Sequence, residues 1–429
     1  MPNIIEKEDI ALFKQKALKW AQSYNTFCYL DSNAYTAYQD QSFESILAIG
    51  AIREITVDDS NCLPEIQAFY DKEANNNWLF GYLSYDIKNE IETLGSNNPD
   101  NIQFPLSHFF LPEHLIVFTK TSYKVLNSSL SAENLIKKIN RTELNYKKTK
   151  PFNLKSRIKK EDYLNKVKEI LSLIKRGYVY EVNFCQEFYA KNAVINPIDL
   201  FQKINNNNKA PFSSLYKLND KYLLSTSPER YIRKQDNTII SQPIKGTIAR
   251  SLDKVSNNKL IAQLQNDNKE KAENVMIVDI VRNDLTKIAQ ATSVKVKEFL
   301  KPYTFEKVNH LISTITATID EQVTFTEIIK ATFPMGSMTG APKKAAMEYI
   351  EQFEETKRGL FSGTVGYIQP NGDFDFNVII RSILYNEMNK YLSVQVGGAI
   401  THQSIAEKEY EECIIKIKGL LEIIENKKS

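Results

Sequence analysis

Residues 222–250 limit the possible folds more than any other stretch. Two runs rich in β-branched and aromatic side chains, 222–233 and 238–250, flank the polar turn 234–237. The pattern predicts a β-hairpin whose ends carry Glu229 and Lys245. Lys245 follows Pro243 and lies between Ile244 and Gly246. A lysine held at a strand end with few polar neighbours loses part of its preference for the charged form, and a neutral amine is a nucleophile. Gly246 and Thr247 would let a ligand approach the backbone and offer it a hydroxyl. A lysine in an arbitrary turn is about nine times in ten a surface residue, so the weight rests on the context Pro-Ile-Lys-Gly-Thr.

Acidic residues recur beside apolar helices. The pattern at 259–289 predicts one buried helix with Glu273 and Asn274 at its mouth. A carboxylate there needs a partner or a cation. Near the C-terminus Glu409 and Glu412 are three apart and Lys416 is four further on, so all three share one helical face. Such a face is usually only solvated, about four times in five. Together with Glu273 it would suit an oxygen-preferring ion such as Mg²⁺. Arg381 ends an apolar strand and needs an anion, and its planar fork suits a carboxylate. The run Gln395-Val396-Gly397-Gly398-Ala399 offers a second close backbone approach. His310 sits in an apolar strand, where a lone histidine is ordinarily a hydrogen-bonded core residue. The loop 333–343 is punctuated by glycine and enters a helix at Pro342, a place for an anion, but it lacks the spacing of a nucleotide-binding loop.

The bulk properties exclude several classes. A net charge of +3 gives no reason to invoke nucleic acid or a membrane surface, and no apolar run is long enough to span a bilayer. The first residues show no secretory pattern, so the cytoplasm is the expected compartment. Cys28, Cys62, Cys185 and Cys413 are too scattered for a zinc site and read as free thiols. The polar, lysine-rich segment 119–159 predicts a linker or exposed crossing between an N-terminal supporting or regulatory region, 1–145, and a catalytic region, 157–426. In the second, a helix with Tyr163, Val167, Ile170, Leu171 and Ile174 on one face should end at Gly177.

Several motifs together resemble the chorismate-utilising enzymes: Ser227-Pro228-Glu229, Pro243-Ile244-Lys245-Gly246-Thr247, the run 272–279 that starts Ala-Glu-Asn, and Arg282-Asn283-Asp284. Within that family the chain is most similar to the branch called aminodeoxychorismate synthase component I, in which a lysine stands where anthranilate synthases usually have alanine. The resemblance covers 157–426 well and 1–120 more weakly. It implies an α+β fold of two antiparallel sheets packed as a sandwich with helices outside. It also implies Mg²⁺ on Glu273, Glu409 and Glu412, substrate-carboxylate contacts from Arg381 and Lys416, and cradling of chorismate by Gly246, Thr247, Gly397, Gly398 and Ala399. Lys245 would be the nucleophile, Glu229 the acid, and His310 a group near the departing hydroxyl. A separate glutaminase subunit would supply ammonia, since no cysteine lies in a Gly-x-Cys-x-Gly elbow.

Three departures from the pattern stand out. Glu181-Val182-Asn183 replaces the family's Gln-Val-Asn, Met335 occurs more often in anthranilate synthases, and Asp31-Ser32 replaces the Glu-Ser of their allosteric tryptophan segment. No lysine occupies position 181, where isochorismate synthases carry a base that activates water. The alternatives are anthranilate synthase component I, isochorismate synthase, and a non-catalytic ligand-binding regulator on the same fold.

Overall fold

The computed structural model describes residues 7–35, 43–145 and 149–424. Residues 1–6, read for a leader, 146–148 of the expected linker, and 425–426 of the expected catalytic region lie outside the described residues.

Alternation along single strands sets the layers. In the strand Thr26–Asp31, Cys28 enters one core while Phe27 and Tyr29 enter another; in Ser45–Val57, Ile46 and Ala48 face the first core and Leu47 and Ile49 the second. Period-two patterning with apolar side chains on both faces requires cover on both sides. One ribbon of antiparallel strands provides it. It passes from Glu181–Ala190 through Tyr391–Ile400, Ser382–Asn386, Lys221–Ser227, Phe212–Leu218 and Thr26–Asp31 to the long strands Ser45–Val57 and Ser107–Phe118. It continues through Leu79–Leu83, Thr364–Ile368, Phe374–Asn377, Arg230–Gln235 and Thr238–Gln242 to Val308–Thr318, which also pairs with Ile244–Ala249 and Lys295–Thr304.

The α+β class stands, but the two separate sheets expected from the sequence are not resolved. The described residues form a single hydrogen-bonded network of 19 strands. The physical reason lies in Ser45–Val57 and Ser107–Phe118. At 13 and 12 residues they reach into both limbs of the ribbon, and their pairing shifts register between Ala51 and Arg53, so the ladder turns without breaking. The limbs meet through side chains such as Tyr82 and Tyr216, whose rings are 5.2 Å apart.

Helices cover the outer face of the first limb, among them Lys160–Lys175, Pro197–Asn207, Lys343–Phe353 and Ala406–Ile424. Tyr163, Val167 and Ile170 are fully buried as the spacing predicts, and Gly177 is left-handed just past the helix end. Other elements differ from expectation. Segment 119–159 holds the strand Tyr123–Ser128 and the helix Ala132–Asn140, whose Leu135 and Ile139 are fully buried. The single helix expected over 259–289 is two, Lys254–Asn266 and Asn268–Thr286, because Asp267 accepts the Lys269 and Glu270 N–H groups and starts a new helix. Glu273 therefore sits beyond the first turn of the second helix, not at the mouth of a long one. The hairpin is confined to Arg230–Gln235 and Thr238–Gln242, flanked by Glu229 and Lys245. No described helix is long and apolar enough to cross a membrane.

Candidate active site

Lys245 lies in the strand Ile244–Ala249, next to Gly246 at φ 85°. Pairing with Val308–Thr318 shifts register between Lys245 and Thr247, a bulge in which glycine adopts the left-handed residue without strain. Asn274 donates to the Lys245 carbonyl at 3.1 Å and accepts from Ser313 at 3.2 Å, fixing the backbone. The lysine side chain enters a group of carboxylates: Nζ is 3.1 Å from Glu181 Oε1 and 3.9 Å from Glu273 Oε2. This corrects the expectation of a lysine with few polar neighbours that tends to lose its charge. Burial pushes the ammonium pKa down, but Glu181, Glu273 and Glu229 outweigh it and the net shift is upward. The resting side chain is an ammonium, kept charged by the carboxylates around it.

Glu229 occupies the break between Lys221–Ser227 and Arg230–Gln235 and is 4% exposed. Burial raises its pKa to about 7, against a 2.7 Å hydrogen bond from Ser337 and the pull of Lys245 and Arg381. A carboxyl poised near neutrality can hold and release a proton. Ser337 is set by its turn: Asn183 Nδ2 donates to the Ser337 carbonyl at 2.6 Å, and Arg358 Nη1 to the Met338 carbonyl at 2.6 Å. Arg358 is buried, pairs with Glu354 at 2.7 Å, and lies 4.6 Å from the Tyr85 ring centre. The loop 333–343 does enter the helix Lys343–Phe353 from Pro342. Lys343 at its start is engaged by Asp284 at 2.5 Å.

Glu273 and Glu409 are buried and Glu412 is half-exposed. Lys269 Nζ stands 3.2 Å from Glu409 and 3.8 Å from Glu273. Lys416 pairs with Glu412 at 2.7 Å and donates to the Gly397 carbonyl at 2.6 Å. A Cβ on Gly398 would lie 3.5 Å from Glu409 Oε2 and 3.7 Å from Glu412 Oε1, so this glycine opens directly onto the two carboxylates. One on Gly397 would strike the Phe184 carbonyl at 2.2 Å, because Gly397–Ala399 pairs with 183–185. Among the described residues no three His, Cys, Asp or Glu side chains are already gathered for a metal ion. The donor set nonetheless fits a hard divalent cation: it is all oxygen, Glu273 Oε1 is buried without a hydrogen bond among the described residues, and burial raises the Glu273 pKa to about 7.

Arg381 is left-handed at φ 49°, between the strands Phe374–Asn377 and Ser382–Asn386. Its side chain is exposed and has no hydrogen bond or ion pair among the described residues. The surrounding chain holds its pKa below the usual value, against Glu229. His310 is buried and neutral, its pKa lowered to about 3 by burial and Arg381. Its Nδ1 is 2.8 Å from Thr247 Oγ1, and its Nε2 has no hydrogen-bond partner among the described residues.

All thirteen site residues expected from the sequence are described. Lys245 is close enough to Glu229 and Glu273 to shift both, and Glu229 to feel Arg381; Glu412 pairs with Lys416, and Gly398 faces Glu409 and Glu412. Sequence reasoning missed Ser337, Lys269 and Arg358 and left Glu181 without a role. Lys269 was detectable four residues before Glu273, and Glu181 with Asn183 as polar residues on one face of an apolar strand. No local signal marked Ser337 or Arg358.

The family of chorismate binding enzymes matches residues 26–422. Anthranilate synthase component 1 of Saccharolobus solfataricus is 32% identical over 343 residues, 80% of this chain and 79% of that protein. Aminodeoxychorismate synthase component 1 of Escherichia coli is 37% identical over 270 residues, 63% of this chain and 59% of that protein. The crystal structure of anthranilate synthase component I from Streptococcus pneumoniae has a TM-score of 0.77 at 27% identity, covering 90% of this chain and 94% of that one.

Proposed function

Because the chain belongs to the chorismate-binding enzyme family, we propose that it converts chorismate and ammonia to 4-amino-4-deoxychorismate, on the way to 4-aminobenzoate and folate. The observation that carries this reading is Lys245, held 3.1 Å from the Glu181 carboxylate and close enough to Glu229 for each to shift the other's pKa.

Arg381 has a free guanidinium for the enolpyruvyl carboxylate, and Lys416 supports the same end beside Gly397. Gly246, Thr247, Gly398 and Ala399 keep the cradle open for the ring. Glu273, Glu409 and Glu412 would hold Mg²⁺, whose charge would offset the ring carboxylate. Lys245 gives a proton to Glu181, and the freed lone pair attacks C2. The ring double bond shifts, the C4–O bond breaks, and Glu229 transfers its proton to the hydroxyl, which leaves as water. Neutral His310 offers Nε2 near that oxygen. Ammonia then attacks C4, the double bond returns, the C2–N bond to Lys245 breaks, and the nitrogen sheds its extra proton. The sum is chorismate plus ammonia to aminodeoxychorismate plus water.

The chemistry is assigned to 157–426, with a supporting or regulatory role for 1–145. The relatives' names, component 1 of a synthase, support a separate glutaminase partner as the source of ammonia, for which ammonium at high pH should substitute. A second reading, anthranilate synthase component I, is favoured by Met335 and by the longer match to the Saccharolobus relative.

Incubating the chain with chorismate, Mg²⁺ and ammonium, with and without an aminodeoxychorismate lyase, separates the two by mass spectrometry. Lyase-dependent 4-aminobenzoate supports the first, and fluorescent anthranilate without lyase the second. Lys245→Ala should abolish aminodeoxychorismate synthesis with free ammonium; an unchanged rate would remove the lysine from the mechanism.

A further inference from the structure

Glu229 also lines a small cavity distinct from the face it shares with Lys245 and Arg381. The cavity lies between the helix Asn268–Thr286, the 230–242 hairpin and the loop 332–337. Its walls include Ser241, Val281, Asp284, Thr332 and Ser337, and none of Lys245, Arg381, His310, Gly397 or Gly398. It has room for about one water, with enough polar walls to hold it. Asp284 is bound by Lys343 at 2.5 Å and by half-exposed Lys287 at 3.0 Å. Lys343 is 12% exposed, and burial lowers its pKa against the pull of Asp284.

We propose that this cavity is the proton-return path to Glu229: a resident water between Ser337 and Asp284 passes a proton inward from the Asp284–Lys343 pair. The inference rests on the reading above that Glu229 protonates the departing hydroxyl. After that step Glu229 is a carboxylate, 4% exposed and covered by substrate on its other side. One proton enters from solvent by Lys343 and the water, and the attached nitrogen releases one, so none is consumed. The Ser337 hydroxyl, 2.7 Å from Glu229 Oε1, is the last link.

Two variants test the path. Asp284→Asn removes the outer acceptor, and Val281→Leu fills the cavity without removing a polar group should the first variant fail to fold. A high-resolution crystal structure of the chain should show a water bonded to Ser337 and Asp284. With a non-reacting chorismate analogue closing the other face of Glu229, deuterium exchange at its carboxyl, followed by its infrared band, should slow about tenfold or more in both variants. With chorismate, Mg²⁺ and ammonium, the first turnover should keep its wild-type rate while later turnovers slow several-fold and recover with added formate. A dry cavity, unchanged exchange in the folded variants, or first and later turnovers slowed equally overturns the path. If the chain consumes no chorismate, the functional reading fails, while the water and the exchange rate still decide this inference.

Discussion

Glu229→Gln should make the protein more stable and less active at the same time, with a gain that depends on pH. Unfolded, the carboxyl titrates near 4.5; folded, near 7. Between these values the folded protein holds the proton and the unfolded chain does not, so stability falls as pH rises through the window. At about 1.4 kcal/mol per unit the loss reaches roughly 3 kcal/mol by pH 8. Glutamine fills nearly the same volume, its amide oxygen still accepts from Ser337, and it has no proton to lose. The variant should therefore match the wild type near pH 4.5 and exceed it by about 3 kcal/mol near pH 8, read as the difference in urea unfolding at the two pH values. Turnover of chorismate should fall about 10²- to 10⁴-fold, the usual contribution of a positioned proton donor. A gain of the same size at both pH values, or none at pH 8, would refute the argument that burial holds Glu229 near neutrality.

Three further outcomes follow from the same geometry. Arg381→Lys keeps the charge but loses the planar fork, so KM for chorismate should rise about tenfold in steady-state assays while kcat changes less. Glu409→Gln should raise the Mg²⁺ concentration for half-maximal activity on the order of tenfold or more, measured by titrating Mg²⁺ into chelator-treated protein; an unmoved midpoint would take Glu409 out of the metal set. Arg358→Ala leaves Glu354 buried without its partner and frees the turn that carries Ser337, which should cost about 3–5 kcal/mol in urea unfolding.

Much of the site was legible because its side chains sit in distinctive local contexts. Lys245 before a glycine, Arg381 after an apolar run, and Glu409, Glu412 and Lys416 on one helical face each stood out locally, but only the family resemblance raised them above a turn lysine or a solvated helix face. What spacing could not supply was the neighbour brought from elsewhere in the chain. Glu181 is 64 residues from Lys245 and reverses its expected electrostatics. Ser337 is 108 residues from Glu229 and is aimed by Arg358, whose partners come from four segments. The same limit applied to the fold. Strand alternation was readable, but joining the two limbs into one ladder depends on two long strands bending together at a register shift. Helix length failed at Asp267 for a local reason, since one capping side chain divides an otherwise continuous pattern.

The pairing of Glu181–Ala190 with Tyr391–Ile400 has a consequence for how the protein is made. Glu181 leaves the ribosome roughly two hundred residues before the strand that lies against its own and before the helix bearing Glu409 and Glu412. Until then its strand has an open edge, and the acidic cluster has only part of its side chains. Closing so long a loop is slow. The nascent chain should thus remain inert towards chorismate through most of its synthesis and become competent only when the last strand and helix dock.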